Sequence, residues 1–400
     1  DAPSAIDRVF GPIEGLLYRM FGVDAARGMN WRGYALAFVV SNVVLGVIVQ
    51  FILMFQHLLP LNPDGIPGMS WDLALHTMVS FLTNTNQQHY SGQAQLSYFS
   101  QLAGVVTLQI VTPSMGMAVA LAFLRGLFGG RNAKTAKEGQ PRDLGNYYVD
   151  TTRMVVRVFL PLVFIWSLAL TWQGVPSTLA GAATATPIDA SAGMSEQIIP
   201  IGPVAPMVAI KQLGTNGGGW YGPNSAVPLE NPTPFSNLLE TLALVLIPVA
   251  VVFMLGRFTG RPKLTAMVFG VMATFSLVFV GISVWSEGQP NAAVAELAAA
   301  GPNMEGKEQR LGPDASALWS TLTTQTSNGS VNAMHDSLNP TAGMVAMSGM
   351  LVNSIWGGVG CGLVGFMVFM LVAVFLSGLM IGRTPEIYGR KFDVGDIRLL

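Results

Sequence analysis

Gly214-Thr215-Asn216-Gly217-Gly218-Gly219 is a polar, glycine-rich run set between two apolar stretches that are each long enough to cross a bilayer. Thr83-Asn84-Thr85-Asn86 and Thr326-Ser327-Asn328-Gly329-Ser330 have the same surroundings. Non-helical backbone at membrane depth survives only where protein or a watery path satisfies its N–H and C=O groups. A polar interruption that recurs three times therefore needs a use, and lining a cation path with oxygen atoms is one.

The rest of the chain is oily. Of its 400 residues 51% are hydrophobic and 11% charged, against about 25% charged in an ordinary soluble domain. This is the composition of an integral membrane protein in contact with lipid. The formal net charge is -1 and no block of like charges occurs, so neither a nucleic-acid partner nor a polybasic lipid patch is indicated. The one cysteine, Cys361, excludes an internal disulfide framework and any multi-thiolate metal site, and reads as small core filler. The chain opens at Asp1 without Met and closes at Leu400 in a charged stretch, so both ends read as cut. Residues 1–34 show no signal peptide.

A span needs roughly 20 apolar residues to cross a hydrocarbon core of about 30 Å. Six stretches qualify, near Tyr34 to Phe55, Leu102 to Leu127, Met154 to Trp172, Leu238 to Phe258, Leu264 to Trp285 and Leu363 to Ile381. A shorter apolar piece, Met344 to Trp356, and the glycines Gly357, Gly358, Gly360 and Gly362 precede the last, a pattern that reads as a broken helix. Of the 21 Lys and Arg, all but Lys211, Lys307 and Arg310 fall before the first span or in the connections on its side of the membrane. Basic residues are retained in the cytoplasm, so the N-terminal end is assigned there.

The three opposite connections each follow one order: span, moderately apolar segment, polar run, span. Trp71 to Leu82, capped by Ser70, Pro206 to Leu213, and Asp314 to Thr324 are the intervening segments, too short to cross. The expected fold is an all-α membrane protein of span, pore helix, span units. Residues 1–130 hold an N-terminal segment and the first unit, 131–262 the second and 263–389 the third, with 390–400 a cytoplasmic loop. A re-entrant helix whose C-terminal end points inward places partial negative charge where a cation dwells. Glycine permits φ > 0, which lets successive carbonyls face one axis.

Lys211, just before the second run, reads either as a snorkelling or paired lysine or as an electrostatic element behind the path that tunes ion occupancy. His57, His76, His89 and His335 lack close ligand spacing and read as polar packing groups, His335 bracing its loop by a hydrogen bond. The glycine cluster reads either as close helix packing or as a mid-membrane gating loop comprising Gly357, Gly358, Gly360, Cys361 and Gly362. The order G-x-x-x-x-G-K-[ST] is absent, as is the Asp-Lys-Thr-Gly of aspartyl-phosphate pumps. No nucleophile, base or metal set converges to suggest an intramembrane enzyme.

Ser80-Phe81-Leu82-Thr83-Asn84-Thr85-Asn86, Tyr90-Ser91-Gly92, Ala209-Ile210-Lys211-Gln212-Leu213-Gly214-Thr215-Asn216-Gly217-Gly218-Gly219 and Leu229-Glu230-Asn231-Pro232-Thr233 resemble the KdpA family. Further matches are Asn303-Met304-Glu305-Gly306-Lys307-Glu308, Ala333-Met334-His335-Asp336-Ser337 and Gly378-Leu379-Met380-Ile381-Gly382-Arg383-Thr384-Pro385-Glu386. The resemblance covers essentially the whole chain. It implies the potassium-channel-like fold of the superfamily of K transporters, pseudo-fourfold, with three units here, a fourth beyond Leu400 and an extra span before Asp1.

The resemblance also implies a potassium ion coordinated by Asn84, Thr85, Thr215, Asn216, Ser327 and Asn328, with Thr83, Asn86, Gly214, Gly217, Gly218 and Gly329 as filter backbone. Implied partners are a KdpB-like P-type ATPase subunit that hydrolyses ATP, a KdpC-like subunit and a small KdpF-like subunit in a bacterial inner membrane. No organic cofactor is implied, and the chain itself performs no catalysis. Gln87, Trp220, Tyr221, Asn328 and Ser354 depart from the family pattern. A stand-alone Trk/Ktr-like potassium channel or symporter subunit is the alternative reading.

Overall fold

The computed structural model describes residues 6–128, 142–189, 191, 193–291, 301–382, 386–387 and 390–391. The basic residues Arg131, Lys134, Lys137, Arg383 and Arg398, and most of the 390–400 loop, lie outside them. Among the described residues six helices are long and apolar enough to cross a membrane: α2 (Trp31–Met54), α4 (Ser100–Phe128), α5 (Tyr147–Trp172), α7 (Pro234–Thr259), α8 (Pro262–Glu287) and α11 (Cys361–Met380). This makes the chain a multi-pass membrane protein, each span close to its expected place except the third, which begins at Tyr147 and not near Met154. An amphipathic helix, α1 (Asp7–Met20), precedes them.

Between the spans lie α3 (Trp71–Leu82), α6 (Val204–Leu213) and α9 (Gly312–Gln325), of 12, 10 and 14 residues. At about 1.5 Å per residue none reaches across a hydrocarbon core. Each packs against the long helix before it and an apolar helix after it: α3 on α2 and α4, α6 on α5 and α7, and α9 on α8 and α10 (Pro340–Val352). The main core gathers at these contacts, around Phe81, Leu108, Ile210, Leu213, Trp220 and Met367.

Local chemistry explains the element ends. Thr233 accepts from Ser236 N–H while the Ser236 hydroxyl accepts from Thr233 N–H, a capping box that starts α7. At its other end Gly260 adopts φ 66°, which stops the helix at no steric cost. Ser70 departs from expectation: it is extended at the N-cap of α3, but its hydroxyl makes no cap bond and meets the Asp72 side chain instead. The break between α10 and α11 is present, running through Asn353, Gly357, Gly358 and Gly360, all at positive φ.

A buried ion pair organises the connection that holds the third polar run. The side chains of Lys307 and Glu287, both fully buried, pair at 2.7 Å, and Glu287 also accepts from Asn303 and from Asn339 N–H. This cluster, rather than His335, braces the third connection. The Nε2 atom of His335 is buried without a hydrogen bond among the described residues, and burial with the nearby Lys307 charge pushes its pKa down to about 4. A hairpin of β1 (Ala183–Ala185) and β2 (Gln197–Ile199) lies within the second connection, tethered where the Tyr98 hydroxyl sits within hydrogen-bonding distance of both Ala180 O and Ile201 O.

Candidate ion-binding walls

The three polar runs leave their helices by the same turn. Asn84, Thr215 and Ser327 take φ values of 61°, 52° and 53°, and two residues later Asn86, Gly217 and Gly329 take 55°, 88° and 83°. A β-branched residue such as Thr215 in this region is strained, and strain of this kind concentrates at functional sites. The turn consumes N–H groups. Thr85 and Asn86 donate to Ser80 O, Asn216 and Gly217 to Lys211 O, and Asn328 to Thr323 O, at 2.9 to 3.1 Å. Among the described residues no hydrogen bond is directed at the carbonyls of Thr83 to Thr85, Gly214 to Asn216, Thr326 or Ser327. The runs thus spend their donors on the helix ends and leave acceptors free, the polarity a bare cation requires.

The runs also meet one another. The carboxamides of Asn84 and Asn216 are in contact. Gln88 and Gly219 exchange two bonds of 3.0 Å between side chain and backbone. On the other side Asn328 Nδ2 donates to Lys211 O at 2.8 Å and Ser330 Oγ donates to Gln212 Oε1 at 2.9 Å. A Cβ on Gly217 would stand 1.9 Å from Asn328 O, so only glycine permits this approach. The second run is buried throughout, whereas Thr83, Thr85, Gln87 and Gly329 are exposed. A cavity of about 490 Å³, lined by Asp72, His76, Ser80, Thr83, Thr85 and Gln87, lies beside the first run.

Several residues that build this arrangement carry no run motif. Gln109 Nε2, on α4, donates to Gly218 O at 2.7 Å, and Thr112 Oγ1 donates to Asn84 Oδ1 at 3.1 Å. Their signal in the sequence is polarity inside an apolar span, which marks the interior of a bundle or a path. The break residues lie against two runs. Val359 N–H donates to Thr215 Oγ1 at 3.3 Å, Gly357 N–H to Gln325 O at 2.7 Å, and Ser327 Oγ meets Asn353 Oδ1. Gly358 faces Thr215 and Thr326, and Gly360 faces the carbonyl of Gly116. Gly362 packs on Trp356 O, closing the loop on itself. Cys361 is exposed, with Sγ turned back to Gly357 O, and is not core filler. Lys211 is fully buried and paired with Glu230, so it does not snorkel. His76 and His89 stack with ring centroids 4.3 Å apart, but no cluster of three metal ligands occurs among the described residues.

A family model, KdpA: Potassium-transporting ATPase A subunit, matches residues 1–400. The potassium-transporting ATPase potassium-binding subunit of Pseudomonas aeruginosa is 46% identical over 391 residues, which is 97% of this chain and 67% of that protein. The subunit of the same name from Pseudomonas putida is 47% identical over 395 residues, 98% of this chain and 68% of that one. That of Gloeobacter violaceus is 45% identical over 403 residues, again 98% and 68%. The chain spans about two thirds of the length of these relatives. A match to the family model along every residue, together with relatives at this identity, places the chain in the KdpA family of potassium-transporting ATPase A subunits.

Proposed function

We propose that this chain is the potassium-binding, non-catalytic part of an ATP-driven potassium uptake pump, and that its three runs are three walls of the selectivity filter. The observation that carries the reading is the thrice-used turn, in which N–H groups are spent on the helix and carbonyls are left free where the runs meet. Oxygen atoms of Asn84, Thr85, Thr215, Asn216, Ser327 and Asn328 replace the hydration shell of a potassium ion, with Thr83, Asn86, Gly214, Gly217, Gly218 and Gly329 setting the backbone course. The partial negative ends of α3, α6 and α9 face the same place and favour a cation there.

Residues 1–130, 131–262 and 263–389 are repeats of one unit. A fourth wall from outside these 400 residues closes the exposed side of the first and third runs. The N-terminal end lies in the cytoplasm of a bacterial inner membrane, as the basic residues indicate. The break from Gly357 to Gly362 gates passage below the filter, and the ion moves on to a P-type ATPase subunit that works with KdpC-like and KdpF-like companions.

Replacing Asn216 with Asp tests the filter. A fixed negative charge raises field strength at the site and is expected to lower potassium-over-sodium discrimination of cation-stimulated transport by about tenfold or more. Ser327→Ala is expected to act in the same direction. Unchanged selectivity in both variants would reject the site assignment.

A further inference from the structure

Behind the second run lies a buried ionic cluster that touches no part of the free carbonyl face. Lys211, Glu230 and Glu240 are all fully buried. The Lys211 ammonium pairs with Glu230 Oε2 and donates to Asn224 Oδ1 and Ser225 Oγ, both at 2.6 Å. Its three donors are thus all engaged. The partners in turn hold the far end of the run. Asn224 Nδ2 donates to Gly217 O at 2.6 Å, and Glu230 Oε1 accepts from Tyr221 N–H at 2.8 Å. The same lysine also holds the run through its backbone, because Lys211 O accepts from Asn216 and Gly217 N–H. That carbonyl also receives Asn328 Nδ2 from the third run. One residue thereby holds Gly217 from both sides, through its ammonium and Asn224 and through its backbone carbonyl, and joins the second run to the third.

Such a cluster is costly. Burying a lysine and a carboxylate takes two charges out of water, which an apolar pair of equal volume would avoid. The geometry gives the expense a return: Lys211 holds Asn224, Asn224 ties down the Gly217 carbonyl, and the free carbonyls of the run end at Asn216. Gly219 is glycine for a related reason, since a Cβ there would lie 2.8 Å from Glu230 Oε1 and 2.9 Å from Asn224 Nδ2.

We propose that Lys211, Glu230 and Asn224 are positioning residues for cation discrimination: without contacting the ion, they set the spacing of the second wall and couple it to the third. The proposal rests on the filter reading above.

The test uses the potassium-transporting complex assembled around the full-length protein, with cation-stimulated activity measured in potassium and in rubidium. Glu230→Gln keeps the shape and removes the charge. Asn224→Gly removes the tie to Gly217, and glycine tolerates the φ of 58° found there. A charge-assisted bond lost from a positioned wall corresponds to about a tenfold change. Both variants are expected to raise the KM for potassium by about that factor and to shift the potassium-to-rubidium ratio, while maximal activity stays within about threefold. Thr215→Ala, a wall variant, is measured alongside. A shift in Thr215→Ala with none in either Glu230→Gln or Asn224→Gly overturns the positioning role and leaves the filter standing. No shift in any of the three overturns both. Should Glu230→Gln fail to assemble, Asn224→Gly alone decides, because it leaves the Lys211 and Glu230 pair in place.

Discussion

At the residue scale the decisive property is backbone handedness. Asn84, Thr215 and Ser327 accept positive φ although none is glycine, and a side chain in that region costs roughly 1–2 kcal/mol. The surroundings hold them there: Thr215 through Val359, Ser327 through Asn353 and Asn84 through Thr112. Gly217 has no such latitude. At φ 88° and with Asn328 O where its Cβ would be, Gly217→Ala combines strain with a clash between the second and third runs. Its thermal unfolding midpoint is expected to fall by several degrees, as a loss of about 2 kcal/mol produces, with potassium stimulation weakened in parallel. An unchanged midpoint would show that the second and third runs lie further apart than described. Which residue types stand here is plain from sequence, but which of them turn left-handed is not, because helix ends and tertiary ties decide that jointly.

At the element scale two segments carry separable properties. The break between α10 and α11 bends at Gly357, Gly358 and Gly360 and rests on the second and third runs. Gly360→Ala places a methyl 3.0 Å from Gly116 O at a φ of 89°. The expected result is a lower maximal transport rate with little change in the KM for potassium, read from uptake kinetics; a pure KM effect would assign the loop to binding and not to passage. The connection around His335 responds to acid instead. Its imidazole, depressed by burial to about 4, stays neutral in the fold while the unfolded chain protonates near 6.5. Stability is therefore complete above 6.5 and declines as pH falls from there toward 4. Melting temperatures at pH 8 and pH 5 should diverge less in His335→Gln than in the parent protein.

At the scale of the whole molecule the second run is enclosed while the first and third each border open space, Thr83, Thr85 and Gly329 being exposed. If the three runs are walls of one filter, as proposed, a site open on one side binds a bare cation poorly, because part of the ion's hydration cost stays unmet. A protein limited to these 400 residues is expected to show potassium binding at least about tenfold weaker than the full-length relatives, measurable by calorimetry in detergent. Equal affinity would mean that the ion site is complete within three runs. Full-length protein purified in mild detergent is expected to bring with it a subunit that is phosphorylated by ATP. Its recovery alone, with potassium conductance after reconstitution, would favour the stand-alone channel.

How far the sequence reaches differs between these levels. Span number and limits, the three short helices and the break were all legible, since apolar length and glycine or polar interruptions act locally through the cost of unsatisfied backbone in lipid. Trp71–Leu82 came out with both ends as read. The amphipathic helix α1 went unassigned although Ile6, Val9, Ile13, Leu16 and Met20 repeat at helical spacing and are exposed along one side. The cap at Ser70 and the packing of Cys361 were misread, because a hydroxyl or thiol chooses among partners that only the folded neighbourhood supplies. Lys211 reads as paired or snorkelling, but its pairing with Glu230 and its hold on Asn224 join residues 19 and 13 positions away. Local composition and periodicity thus determined that this chain spans a membrane and where its backbone must leave the helix. Tertiary structure alone decided which oxygens stay free and which donors are consumed, since hydrogen-bond partners across separate elements are set by position in space and leave no period in the chain.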